Sequence, residues 1–219
     1  MTLKRGRFLS FEGIEGCGKT TQIALLSEYL SKRSIASTIT REPGGTAVGE
    51  GIRKILLNSE TIHLTVAAEL LLFYASRSQN IAEKILPALA RGEVVICDRF
   101  YHASMAYQGY GRGVPLDFIE RLNDLVCGEN RPETTILLDI APELGLSRAR
   151  ARNQKKAEQM SEDEGRFEME DLVFYTKIRN GYLDLARRDP ERIKVIAADR
   201  SIEEIHRDIV RILGFENAI

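Results

Sequence analysis

Residues Phe8 to Thr20 read FLSFEGIEGCGKT, a short apolar run that ends in a glycine-rich turn. Gly13-Ile14-Glu15-Gly16-Cys17-Gly18-Lys19-Thr20 fits G-x-x-x-x-G-K-[ST] at every fixed position. Each residue type has a task there. The glycines let successive backbone N–H groups converge on an anion, and the helix that follows adds its positive N-terminal end. Lys19 can span the two outer phosphates of a nucleoside triphosphate, and the Thr20 hydroxyl can hold Mg²⁺. With Thr21 in the same helical turn, residues 13–21 form the expected ATP-binding set. The alternative is a glycine-rich turn without a ligand. A strand before the turn and a helix after it decide against that, and Phe8–Glu12 and Lys19–Lys32 predict both.

Outward from this turn, short β-branched runs alternate with segments of helical period. Strands are expected at Phe8–Glu12, Ile35–Arg41, Glu93–Asp98, Thr134–Ile140 and Arg192–Ala197. Helices are expected at Lys19–Lys32, Val48–Leu57, Val66–Ala90, Pro115–Val126, Pro142–Asn153, Phe167–Arg188 and Ser201–Leu213, with Pro142 in a first turn. The first, third and fourth strands are nearly continuous apolar runs, as in Val94-Val95-Ile96-Cys97, the pattern of parallel strands covered on both faces. The order implies an α/β fold, a P-loop NTPase sheet of five parallel strands flanked by helices. One domain with a P-loop is expected over residues 1–219, with Asn153–Gly165 (NQKKAEQMSEDEG) as a polar lid within it. An ordinary exposed helix junction is the plainer reading of that segment.

The totals bound the partners. The chain has 219 residues, 43% of them hydrophobic, and 31 Lys plus Arg against 32 Asp plus Glu leave a formal charge of −1. No bulk attraction for nucleic acid or an anionic membrane follows, so any polyanion must be met by local charge. The N-terminal apolar run is too short for a signal peptide, and no stretch reaches membrane-spanning length. Cys17, Cys97 and Cys127 are too widely spaced for a zinc cluster or a disulfide framework. Reduced, buried thiols and a cytoplasmic location are expected.

Asp98 ends the apolar strand 94–97, where an acid would hold Mg²⁺ directly or through water, although an isolated strand-end Asp more often caps a turn. Asn-Lys-x-Asp and Asp-x-x-Gly are both missing from the sequence, which speaks against a regulatory GTPase. Arg41 and Arg99 follow strand ends and could clamp a second phosphate with forked donors; as isolated residues they would be solvated surface groups. An acceptor phosphate monoester, with its second pKa near about 6, is already largely dianionic and needs no strong general base. His63, His102 and His206 therefore need no catalytic role. Arg148 and Arg152 share one helix face beside the lid segment, while Arg150 points elsewhere. Arg152 is the expected arginine finger and Arg148 the second choice; a solvated helix face is the alternative.

These residues together resemble the bacterial thymidylate kinase family, P-loop nucleoside monophosphate kinases. The resemblance rests on Phe11-Glu12-Gly13, Arg41-Glu42-Pro43-Gly44-Gly45-Thr46, Phe73-Tyr74-Ala75-Ser76-Arg77, Asp98-Arg99-Phe100, Tyr107-Gln108-Gly109, Gly111-Arg112-Gly113 and Leu138-Asp139. It implies phosphorylation of dTMP to dTDP with MgATP, a step towards dTTP, by a cytoplasmic homodimer. It further implies that Phe73 stacks on thymine, Arg77 donates to O4, Ser104 faces N3 and Gln108 lies close to the base. By the same resemblance Tyr107 lies against C2′ and selects deoxyribose, Glu15 touches the 3′-hydroxyl, and Arg41 and Arg99 hold the acceptor phosphate. Read without it, Phe73 within Leu70-Leu71-Leu72-Phe73 is core. The variable turn positions Ile14, Glu15, Gly16 and Cys17 are not basic, whereas arginines flank the lid, which is similar to the family's lid-arginine layout. Another deoxynucleoside monophosphate kinase, or a nucleotide-binding regulator without turnover, are the remaining readings.

Overall fold

The computed structural model describes residues 6–57, 64–157 and 171–216, the side chains of 152–157 excepted. Strands β1 (Phe8–Glu12), β2 (Ser37–Arg41), β3 (Val94–Asp98), β4 (Thr134–Asp139) and β5 (Ile193–Ala197) form one parallel sheet in the order β2-β3-β1-β4-β5. The three apolar runs are its three central strands. β1 is buried at every residue and β3 and β4 at most of theirs, while the edge strands β2 and β5 are only partly covered. Helices on both faces supply the cover, so the run pattern follows position in the sheet.

The helices are α1 (Lys19–Ser31), α2 (Ala47–Leu57), α3 (Val66–Asn80), α4 (Leu86–Ala90), α5 (Tyr101–Ser104), α6 (Leu116–Val126), α7 (Pro142–Ala157), α8 (Leu172–Arg188) and α9 (Ile202–Ile212). In α1 the buried residues Lys19, Gln22, Ile23, Leu26 and Leu30 recur at helical spacing and set one face on the sheet. Two departures from expectation have local causes. The single helix expected over 66–90 is α3, a π-helical turn Ile81–Ile85 and α4. Pro87 has no N–H and its ring crowds the carbonyl one turn back, and the widened turn, with Leu86 N–H donating to the Ile81 carbonyl, makes room. The expected helix over 167–188 begins instead at Leu172, where the Asp171 side chain accepts from Phe174 N–H at 2.7 Å and caps it; residues 167–170 lie outside the described residues.

α7 runs through Ala157, into the first residues of the segment expected to be a lid, because Gln154, Lys155, Lys156 and Ala157 are good helix formers. The rest of that segment, 158–165, lies outside the described residues, as does His63.

Under the sheet, His102 is buried beside Thr135 Oγ1 (Nδ1 at 3.3 Å), which in turn pairs with Ser10 Oγ at 2.7 Å. Burial, helped by Arg192, Arg131 and Arg77, pushes its pKa from 6.5 down to about 3. The folded value lies below the unfolded one, so the stability this neutral ring contributes is complete above 6.5 and is lost as pH falls towards 3. In urea titrations from pH 6.5 to 4.5 the stability advantage of wild type over His102→Gln should shrink with acidification, by up to about 1.4 kcal/mol per pH unit. A pH-independent difference would show that the ring is not buried neutral.

Candidate active site

Register brings the site together. Asp98 of β3 stands opposite Phe11 of β1 and Arg41 of β2, at the carboxyl ends of three adjacent strands. The next residues continue the ladder, with Arg99 N–H donating to the Phe11 carbonyl and Glu42 N–H to the Asp98 carbonyl, both at 3.0 Å. The glycine-rich turn leaves β1 at this edge and enters α1, so strand and helix stand on either side of it as the motif requires. Gly16, at φ 72°, packs backbone to backbone on α7: a Cβ there would lie 2.0 Å from the Gly145 carbonyl oxygen. A Cβ on Gly145 would meet the Glu15 carbonyl at 2.6 Å, so neither position has room for a side chain.

Two clusters of buried polar residues line the edge. In the first, Lys19 Nζ donates to the carbonyls of Gly13 (3.0 Å) and Ile14 (3.1 Å). Arg99 donates to the same Gly13 carbonyl through Nη1 (2.9 Å) and to Glu15 Oε1 through Nη2 (2.8 Å). The Tyr107 hydroxyl donates to Glu15 Oε2, and the Arg99 guanidinium lies 5.0 Å from the Tyr107 ring centre. Burial raises the Glu15 carboxyl, but Arg99, Lys19 and the Tyr107 hydroxyl outweigh it and hold its pKa below the usual range. Glu12, fully buried at the end of β1, is pushed up to about 7 by burial against the pull of Arg99 and of its hydrogen bonds.

The second cluster is built on Arg77 of α3. Its Nε donates to Glu42 Oε2 at 2.7 Å and its Nη2 to Ser104 Oγ at 3.1 Å, while Nη1 is buried without a hydrogen-bond partner among the described residues. Asn80 continues the chain, donating to Glu42 Oε1 (3.2 Å) and accepting from Thr40 Oγ1 (2.6 Å). Phe73 is half-buried against the main core, whereas Leu70, Tyr74 and Arg77 form the buried stripe of α3.

The sequence-derived residues therefore fall together in part. Arg77 meets Ser104, and Glu15 meets Tyr107 and Arg99. Gln108 is buried and turned to Glu69, donating to Oε1 at 2.9 Å. Arg41 is exposed and bound to Glu50 of α2 (Nη2 to Oε2, 2.8 Å). Arg148 donates to the Ala198 carbonyl at 3.1 Å, at the loop after β5, and the Arg152 side chain lies outside the described residues. Ile14 and Cys17 are buried in the turn, while Gly18, Thr20 and Thr21 are exposed. Among the described residues no three His, Cys, Asp or Glu side chains form a group able to hold a metal. Thr20 and Asp98 suit Mg²⁺, which keeps its waters and takes substrate phosphates as ligands.

The sequence does not single out Glu12, Glu42, Asn80, Glu69 or Tyr182, which the fold brings to these clusters. Glu12 and Glu42 lie inside the Phe-Glu-Gly and Arg-Glu-Pro-Gly-Gly-Thr segments, but nothing local marks Asn80, Glu69 or Tyr182.

A glycine-rich turn of P-loop pattern between β1 and α1, at the carboxyl edge of a five-stranded parallel sheet and beside Arg99, defines a P-loop NTPase fold. The thymidylate kinase family model matches residues 11–209, and the chain belongs to that family. It is 51% identical over 201 residues to the thymidylate kinase of Syntrophotalea carbinolica, covering 91% of this chain and 92% of the other. The corresponding figures for Symbiobacterium thermophilum thymidylate kinase are 44% over 206 residues, 94% and 92%. The crystal structure of thymidylate kinase from Ehrlichia chaffeensis superposes with a TM-score of 0.74 at 34% identity, covering 95% of this chain and 99% of that one.

Proposed function

We propose that this chain transfers a phosphoryl group from MgATP to the phosphate of dTMP, giving dTDP for dTTP synthesis. The observation that carries the base assignment is Arg77 Nη1, buried and unpaired on a guanidinium whose other two nitrogens are fixed by Glu42 and Ser104. A buried donor without a partner is costly, and a carbonyl such as thymine O4 would satisfy it. Phe73 would stack on the ring, Ser104 would meet N3, Gln108 would stay near the base and Tyr107 would exclude a 2′-hydroxyl. Glu15 would take the 3′-hydroxyl, and Arg41 and Arg99 would hold the acceptor phosphate.

On the donor side residues 13–21 would cradle ATP, with Lys19 on its phosphates and Thr20 and Asp98 holding Mg²⁺. Bound Mg²⁺ would neutralise charge on the donor phosphates. Arg152 would act as the arginine finger, with Arg148, near the loop after β5, as the second choice. A single domain over 1–219 with a lid at 153–165 would close over both nucleotides and exclude water. No described helix is long and apolar enough to cross a membrane, and Cys17, Cys97 and Cys127 are free and buried, which supports a cytoplasmic location. A homodimer is part of the same reading.

The test is ADP release with MgATP and dTMP, dUMP, ribose TMP, dCMP or dGMP as acceptor. The expected result is a preference for dTMP over dCMP of at least about a hundredfold in kcat/KM, because dCMP offers Arg77 an amino donor where dTMP offers an acceptor. Turnover with another monophosphate alone would overturn the base assignment, and no turnover with any of them would favour a non-catalytic regulator.

A further inference from the structure

Arg99 adopts φ 68°, a left-handed conformation that a non-glycine residue keeps only where its surroundings impose it. Two bonds from β1 impose it. Arg99 N–H continues the ladder to the Phe11 carbonyl, and Phe100 N–H donates to Glu12 Oε1 at 2.7 Å. The other Glu12 oxygen accepts from the Tyr182 hydroxyl at 2.8 Å, and that hydroxyl oxygen accepts from Arg99 Nη1 at 3.3 Å. One buried carboxylate thus reaches Arg99 from both ends, its backbone turn through Phe100 and its guanidinium through Tyr182.

We propose that Glu12 and Tyr182 are positioning residues for the acceptor phosphate, acting through Arg99 by fixing both its turn and its guanidinium. This rests on the reading of Arg99 as a phosphate-binding residue. Tyr182 suits the task because it is neutral: it orients Nη1 without neutralising the cation, as the Glu15 carboxylate does at Nη2. A strut serving only the core would not need an acid. An isolated carboxylate is expensive to bury, and the two groups it serves, the Phe100 N–H and the Tyr182 hydroxyl, would both accept a neutral partner. Its two oxygens accept from both donors at once, and so join the backbone turn at Arg99 to the hydroxyl that orients its guanidinium. Tyr182 also sits on α8, the first described helix after the expected lid, so the contact ties that helix to the phosphate arginine.

The test is steady-state kinetics on the full chain, varying dTMP and ATP separately, for Tyr182→Phe, Glu12→Gln, Arg99→Ala and the double variant Tyr182→Phe/Arg99→Ala, with the thermal midpoint of each. Tyr182→Phe should raise KM for dTMP roughly three- to tenfold, the effect of one lost hydrogen bond, and leave KM for ATP within about twofold. Glu12→Gln should act in the same direction. The double variant should be no worse than Arg99→Ala alone, since Tyr182 acts through that residue. Equal rises in both KM values, a lowered thermal midpoint with unchanged kinetics, or additive penalties in the double variant would overturn the proposal. If Arg99→Ala weakens dTMP use while Tyr182→Phe and Glu12→Gln do not, the positioning role falls and the Arg99 assignment stands. If Arg99→Ala leaves KM for dTMP unchanged, both fall.

Discussion

Lys19→Met should lower kcat by about two to three powers of ten while the protein stays folded. Lys19 is largely buried, yet its described hydrogen bonds go to neutral groups, the carbonyls of Gly13 and Ile14 and the Cys17 sulfur at 3.5 Å. Its charge is therefore not spent on a direct ion pair within the turn. Methionine keeps the apolar stem and removes only the ammonium, so the packing of the first turn of α1 should survive. On the proposed reaction, what is lost is a fixed cation where negative charge would develop between donor and acceptor. The measurement is ADP release at saturating dTMP and MgATP, with the thermal midpoint as a control for folding. A fall of less than about tenfold would remove Lys19 from transition-state stabilisation and leave it a role in ATP binding alone.

Arg77→Met should have the second large effect, and on two properties at once. Arg77 and Glu42 form an ion pair with side chains only 1% and 2% exposed. Losing the cation would leave Glu42 buried with Asn80 as its remaining described partner, at a cost of about 3–5 kcal/mol in stability. Burial already raises the Glu42 carboxyl against the pull of Arg77, and without that pull it would rise further and take up a proton. Removing the second charge as well, in Arg77→Met/Glu42→Gln, should restore much of the stability seen in urea titration. It should not restore preference for dTMP over dCMP, because the donor is still missing. A double variant that regained this preference would show that Arg77 supports the site without reading the base.

How far such residues can be found in a sequence depends on where their partners lie. The glycine-rich turn is legible because its eight residues are contiguous and their spacing is a fixed motif, and β1, β3 and β4 are legible because continuous apolar runs belong in the middle of a covered parallel sheet. The helical stretch Tyr101–Gly111 is not legible. Gly109 and Gly111 weaken its helical pattern, yet α6 and α8 pack so closely there that a Cβ on either glycine would fall within 2.7 Å of Leu116 or Phe174. The π-helical turn at Ile81–Ile85 lies within a continuous helical pattern, which does not distinguish it from one long helix. Arg77 and Arg99 can be singled out, but their support cannot: Glu42 lies 35 positions from Arg77, and Tyr182, which reaches Arg99, lies 170 positions from its partner Glu12. Buried charges find their counterparts through topology, and no local spacing encodes that.

The contact between Gly16 and Gly145 bears on how this protein can change over generations. Where two side chains meet, a substitution on one can be repaired by a smaller or larger residue on the other, and sequences drift along such paired steps. Here backbone meets backbone, so a methyl group added on either side strikes a carbonyl that no replacement elsewhere can shrink. The join between the phosphate turn and the arginine-bearing helix α7 is thus closed to gradual revision. Descendants can alter the surfaces around it, but this seam has to be inherited whole.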